Sequence, residues 1–258
     1  MKKCWANILG DCGGKISGEH IVSECSFFRR DEHGKDIVPD DVMISGLSWC
    51  KKPMRIKLSE FKSKMLCTQH NWSLSPVDAE SKKFYKNILD CLDLQDVRSK
   101  MKKVFSWNVQ VFKNKGTLLE RWFLKTTLNL AWVNKEFYLL NNSTDLVQIA
   151  FGRKKFKEKE GLYWVVPQNQ ILPFEGETKI VFLYRTLNIG GIEGNRSIVG
   201  SLFVFKSIPI LLLLDSFDLL PEMIKTDCGI VYKKDLRRIR GYDFPIQNKV
   251  SHKLVIEW

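Results

Sequence analysis

The chain has 258 residues, of which 44% are hydrophobic and 12% aromatic. That length and composition exclude a disordered chain and leave room for one large domain or two small ones, each with a proper core. Lys and Arg number 41 against 29 Asp and Glu, a formal charge of +12, and a field of that sign favours polyanions such as DNA, RNA or an acidic membrane surface.

The opening run Met1-Lys2-Lys3-Cys4-Trp5 has no apolar segment ahead of a cleavage site, so a secretory signal is not expected. Seven unevenly spaced cysteines then read as thiols and metal ligands rather than a disulfide framework, and a cytoplasmic location is the expectation. The most apolar run, residues 208–214, is far shorter than the roughly 20 residues that cross a bilayer. It reads as a buried strand, and no membrane partner is expected.

Residues 1–78 are dense in Cys, His, Gly and Pro and poor in long periodic patterns, which suits a small metal-stapled module. Cys4 and Cys12 come first, farther apart than the usual knuckle pair, and Cys12-Gly13-Gly14 supplies the glycines of a tight turn. Cys67-Thr68-Gln69-His70 follows with knuckle spacing. Three thiols and an imidazole can close a tetrahedral structural zinc site. Cys25 and Cys50 are substitutes if one early cysteine is not a ligand. Between the two pairs lies Glu19-His20, within Ser17-Gly18-Glu19-His20-Ile21-Val22, and Asn71 directly follows the second pair.

Residues 79–103 read as a connecting helix. Ser75-Pro76-Val77-Asp78 carries an N-cap serine, a proline at the first helical position and an acid three residues after the cap. Phe84, Ile88, Leu89 and Leu92 follow at helical spacing. Residues 104–258 read as an α+β domain for target recognition or partner binding. Phe105, Trp107, Val109 and Val111 alternate with polar residues as in a half-buried strand, and Asn114-Lys115-Gly116 reads as a turn. Leu119, Trp122, Phe123, Thr126 and Leu130 share one helical face, with Trp122 taken as core rather than as a base-stacking platform.

After residue 145 the pattern is mostly β, with strands at 162–166, 179–187, 197–205, 208–214 and 252–258. Gly190, Gly191 and Gly194-Asn195 mark a hairpin between two of them. Arg153, Lys154, Lys155, Lys157 and Lys159 form a basic loop that could contact phosphates, with Lys233–Arg240 a second cluster.

As a set, the early cysteine pair, Glu19-His20-Ile21-Val22 and Cys67-x-x-His70-Asn71 resemble the HNH, or His-Me finger, nucleases over the first 78 residues. The resemblance implies an α+β protein with an N-terminal zinc-bound ββα (treble-clef/HNH-like) module, followed by a mixed, mainly β domain. It implies a structural Zn²⁺ on Cys4, Cys12, Cys67 and His70. It implies His20 as general base, with Glu19 and Asn71 holding a catalytic Mg²⁺ or Mn²⁺. Asp78 is a further carboxylate for that ion, or else a helix-start residue. One departure is that residues 58–66 contain no asparagine where the family signature has its middle one.

The residue types suit the chemistry. A neutral imidazole can take a proton from water near neutral pH, and a hard divalent cation prefers oxygen donors. The expected function is therefore a metal-dependent endonuclease that hydrolyses phosphodiester bonds, with DNA ahead of RNA. The alternative is a non-catalytic, zinc-scaffolded subunit that binds nucleic acid or protein in a defence or repair assembly. The expected partners are nucleic acid and an activating protein or a second copy of the chain.

Overall fold

A computed structural model describes residues 4–101 apart from 32, 46, 48 and 51, then 109–165, 182–190, 196–205, 208–226, 229–245 and 251–258. A 3₁₀ turn at Trp5–Leu9 opens the chain. Then come β1 (Ile16–His20), the short hairpin of β2 (Arg29–Arg30) and β3 (Asp36–Ile37), β4 (Asp41–Ser45), β5 (Met54–Lys57) and β6 (Lys62–Cys67). Strands β1 and β6 pair antiparallel, with a bulge between Ser17 and Gly18. Strand β6 runs directly into α1 (Thr68–Ser73) and α2 (Ser75–Ser99).

The chain continues through β7 (Val111–Lys115), α3 (Gly116–Val133), α4 (Ser143–Ala150), β8 (Gly161–Val165), β9 (Phe182–Gly190), β10 (Arg196–Phe205) and β11 (Ile208–Leu213). It ends with β12 (Met223–Thr226), β13 (Gly229–Tyr232), β14 (Leu236–Arg238), β15 (Gly241–Pro245) and β16 (Ser251–Glu257). The largest sheet has the order β14-β8-β11-β10-β9-β4-β5. Its neighbours are antiparallel except for β4 and β9. A smaller sheet, β15-β16-β7, has β16 parallel to β7.

The fold is mixed α+β, with strands from the two parts of the chain in one sheet. Strands β4 and β5, from the first 78 residues, complete the sheet of the C-terminal strands. One apolar cluster runs from Cys4 and Trp5 through Phe84, Trp122 and Phe203 to Ile256. At its centre lies α3, with Leu119, Trp122, Phe123, Leu124, Leu128, Leu130 and Ala131 all buried. Glu120, Lys125, Thr126, Thr127 and Asn129 of the same helix are buried as well, so α3 is covered on nearly every side.

Several local expectations change. Asn114 and Lys115 end β7 instead of forming a turn, and Gly116 begins α3. A buried polar network satisfies these turn-type residues within the strand. Asn114 Nδ2 donates to Glu80 Oε1 at 2.7 Å, Asn87 Nδ2 donates to Asn114 Oδ1 at 2.8 Å, and the Lys115 N–H donates to Glu80 at 2.8 Å. Gly116 also lies against the Trp258 indole, where a Cβ would come within 2.6 Å of a ring carbon.

Helix α2 begins with Ser75 already inside it. The residue ahead of it is Leu74, which has no capping side chain, and the Leu74 carbonyl accepts from the Val77 and Asp78 N–H groups. The mostly β stretch expected after residue 145 is preceded by α4, which takes in 145–150. The expected strands at 162–166, 197–205, 208–214 and 252–258 correspond to β8, β10, β11 and β16. Residues 104–108, 166, 179–181, 191 and 194–195, parts of the expected strands and hairpin, lie outside the described residues. No helix among the described residues is long and apolar enough to cross a membrane.

Candidate functional site

Four donor atoms from Cys4, Cys12, Cys67 and His70 lie within 4.8 Å of one another. Cys4 precedes the first 3₁₀ turn, and Cys12 sits in the loop after it. Cys67 ends β6 and His70 lies in the first turn of α1, so the three-residue spacing carries the thiol and the imidazole to one side of a strand-to-helix junction. The loop is pinned to that junction by the Thr68 N–H donating to the Lys15 carbonyl at 2.9 Å and the Gln69 N–H donating to the Gly13 carbonyl at 3.3 Å. Gly14 has φ +73°, a left-handed conformation natural to glycine, and faces the Thr68 hydroxyl.

The sulfurs of Cys67, Cys4 and Cys12 lie 3.1, 3.5 and 3.7 Å from His70 Nδ1. Burial pushes the Cys4 thiol up to about 12. At Cys67 burial also opposes the thiolate, but backbone N–H groups at His70 and Gly13 outweigh it and hold the thiol below its ordinary value. His70 Nε2 faces Asp11 Oδ1 at 2.8 Å. With Nε2–H donating to the carboxylate, the Nδ1 lone pair faces the thiols, the arrangement that orients a metal-binding histidine. Hydrogen bonds from His70 and then Arg153 hold the Asp11 carboxyl below the usual range. Three thiols and an oriented imidazole can hold a metal ion such as zinc.

Cys25 and Cys50 do not join this cluster. Cys25 Sγ is 3.2 Å from Ser81 Oγ, and Cys50 Sγ donates to the Lys52 carbonyl at 2.9 Å.

A second polar centre lies at the other end of β1. Glu19 is buried, and its Oε1 accepts from Lys125 Nζ at 2.7 Å. The same ammonium donates to Asp78 Oδ1 at 2.9 Å and Oδ2 at 2.8 Å. Asn71 hydrogen-bonds Glu19 through its side chain, and its Nδ2 lies 3.4 Å from Ser17 Oγ. Glu19, Asn71 and Asp78 therefore meet, brought from β1, α1 and α2, around a lysine from α3. Burial raises the Glu19 carboxyl against the opposing pull of Lys125. Burial disfavours the Lys125 charge, but Asp78 and Glu19 outweigh it and keep the ammonium protonated.

His20 points to a different partner. Its Nε2 lies 2.8 Å from Glu24 Oε1, while its Nδ1 is buried with no hydrogen-bond partner among the described residues. Burial, followed by the charges of Lys62 and Lys125, outweighs Glu24 and lowers the His20 pKa, which favours the neutral imidazole. A buried acceptor left unbonded is rare enough to require an explanation.

In the expected phosphate-binding loop four of the five basic residues are exposed and ion-paired, and Lys155 is exposed. Arg153 pairs with Asp11, Lys154 with Asp145 at 2.6 Å, Lys157 with Glu160 at 3.4 Å and Lys159 with Asp218 at 2.6 Å. In the second basic cluster, Arg238 pairs with buried Glu120 at 2.8 Å and Lys233 donates to the Leu220 carbonyl at 3.1 Å. Trp122 is fully buried, and its Nε1 donates to Ser23 Oγ at 3.0 Å. Sequence reasoning missed Lys125. Its signal was a single charge in the otherwise uncharged run from Trp122 to Val133. Comparison with models of protein families, with curated proteins and with solved structures gives no match.

Proposed function

We propose that this chain is a metal-dependent endonuclease of the HNH type, acting on the phosphodiester bonds of nucleic acid, with DNA the favoured substrate. The observation that carries the reading is the His20 imidazole, with Nε2 on Glu24 and a buried, unbonded Nδ1, next in sequence to a centre formed by Glu19, Asn71 and Asp78. Glu24 accepts a hydrogen bond from Nε2–H, which leaves the basic lone pair on Nδ1. That lone pair is the general base that takes a proton from the attacking water. Glu24 thus supplies the orienting contact that the absent middle asparagine would give.

The centre has the donor chemistry for a hard cation, two carboxylates and an amide. Glu19, Asn71 and Asp78 would hold Mg²⁺ or Mn²⁺, and such an ion supplies neutralisation of charge building on the phosphate. Zinc on Cys4, Cys12, Cys67 and His70 would carry no chemistry. It would fix the junction of β6 and α1 from which Asn71 projects.

The same observations support a ββα arrangement, since antiparallel β1 and β6 are followed at once by α1. One finding favours the second reading, a zinc-scaffolded binding subunit. Lys125 already supplies a positive charge to Glu19 and Asp78, so the carboxylates need no ion for partial charge balance.

The test is cleavage of supercoiled plasmid and of single-stranded DNA and RNA by the purified chain, with Mg²⁺ or Mn²⁺ and with chelator. Cleavage that appears only with the divalent ion supports the nuclease. Its absence on every substrate leaves the scaffold.

A further inference from the structure

Lys125 is the least expected member of the polar centre. It is 1% exposed, comes from the middle of the central helix, and directs its ammonium between two carboxylates from different elements. A lysine is almost never fully buried unless it is paired. Here it takes both carboxylates that the proposed function assigns to a divalent cation. The ammonium and a divalent ion would seek the same oxygens. At such short range in a partly dry site, two cations repel strongly.

We propose that Lys125 is a built-in competitor for the divalent cation. Its ammonium and the ion exchange for the Glu19 and Asp78 oxygens, so the centre takes an ion only as Lys125 swings away. This rests on the reading of Glu19, Asn71 and Asp78 as the cation site. An ion can reach the site from solvent, because the Asp78 side chain is 31% exposed while that of Glu19 is 10% exposed. Asp78 is thus the open side of the triad. Ser23 Oγ, which donates to Asp78 Oδ1 at 2.7 Å, can hold that carboxylate in place as the ammonium leaves. Without an ion, the lysine keeps two converging carboxylates from repelling one another. A free chain would therefore hold its ion weakly, and removal of the lysine charge would tighten binding rather than loosen it.

The experiment is a titration of the full chain with Mn²⁺, with free Mn²⁺ followed by its paramagnetic resonance signal, comparing wild type, Lys125→Met and Lys125→Met/Glu19→Gln. Competition predicts that Lys125→Met binds Mn²⁺ at least about tenfold more tightly than wild type, and that adding Glu19→Gln removes the gain. Equal or weaker binding by a folded Lys125→Met overturns it.

A second measurement needs no substitution. Lysine acylation of wild type, read by mass spectrometry, should leave Lys125 protected without Mn²⁺ and label it several-fold more with Mn²⁺ at saturation. Labelling that does not respond to the ion also overturns the proposal. Its fate is separable from that of the nuclease reading. Tighter binding without cleavage of any substrate keeps the exchange and removes the enzyme. Metal-dependent cleavage with unchanged affinity and flat labelling does the reverse.

Discussion

Trp5 Nε1 donates to Asn129 Oδ1 at 3.0 Å, so the first turn of the chain is held by the central helix α3. The amide nitrogen of Asn129 lies 3.3 Å from the Ile21 carbonyl and 3.5 Å from the His20 carbonyl. One side chain thereby fixes both the thiol loop and the end of the strand that carries Glu19 and His20. Asn129→Leu would bury an unpaired indole N–H and an unpaired carbonyl, each costing about 1–3 kcal/mol. Urea unfolding should show a loss of about 2–6 kcal/mol. A midpoint unchanged from wild type would mean that these groups find other partners.

The thiol cluster predicts about one zinc per chain. Cys67→Ser should lose it, and Asp11→Asn should weaken zinc affinity by about 10- to 100-fold, because Asp11 orients the His70 ring. Elemental analysis and competition with a chromogenic chelator measure both. Zinc retained by Cys67→Ser would remove the assignment.

Nucleic-acid affinity should fall steeply with salt, as expected for a chain of charge +12. Lys154 and Lys157 are exposed but ion-paired, so a phosphate contact there would exchange one anionic partner for another. Lys62 and Lys64 are exposed on β6, and Lys62 lies opposite His20 across the strand pair. Substituting Lys62 and Lys64 should lower the salt slope by about one unit each, with Lys154→Ala/Lys157→Ala changing it less. The opposite ranking would return the footprint to the loop.

Acid should destabilise the fold through His252 and His20. His252 is fully buried, with Nδ1 accepting the Gln110 N–H at 3.1 Å. Burial, then the charge of Arg98, holds its pKa below the ordinary 6.5. As pH falls through 6.5, the unfolded chain takes up this proton first. The stabilisation is therefore fully present above that value and is lost as pH falls toward the lower folded value. His20 acts with the same sign. Guanidinium unfolding should give a smaller free energy at about pH 5.5 than at about pH 7.5. His252→Asn should narrow the difference, and a flat profile would contradict the neutral buried state.

The thiol cluster was legible in the sequence because Cys67-x-x-His70 is set by local geometry, a strand end followed by one helical turn. The looser Cys4 and Cys12 could be ranked above Cys25 and Cys50 only by motif, and it is the pinning of their loop to α1 that selects them. Glu19, Asn71 and Asp78 were legible as candidates. Their shared partner Lys125 was not, because it is 106 residues from Glu19 and no local period links a strand to the middle of a distant helix. The turn expected at Asn114 failed for a related reason. Propensity marks these residues as turn formers, but Glu80 and Asn87 satisfy their polar groups from another element. The shared sheet was hidden too, since the parallel pairing of β4 with β9 leaves no mark in either segment.

The most direct test of the nuclease reading is single-turnover cleavage of a labelled DNA duplex with Mg²⁺ or Mn²⁺, comparing wild type with His20→Ala at matched zinc content. His20→Ala should lose roughly 100- to 10,000-fold in rate while it keeps its fold, its zinc and most of its DNA affinity. Cleavage by His20→Ala at the wild-type rate, or a wild type that cuts no substrate with either ion, would contradict it.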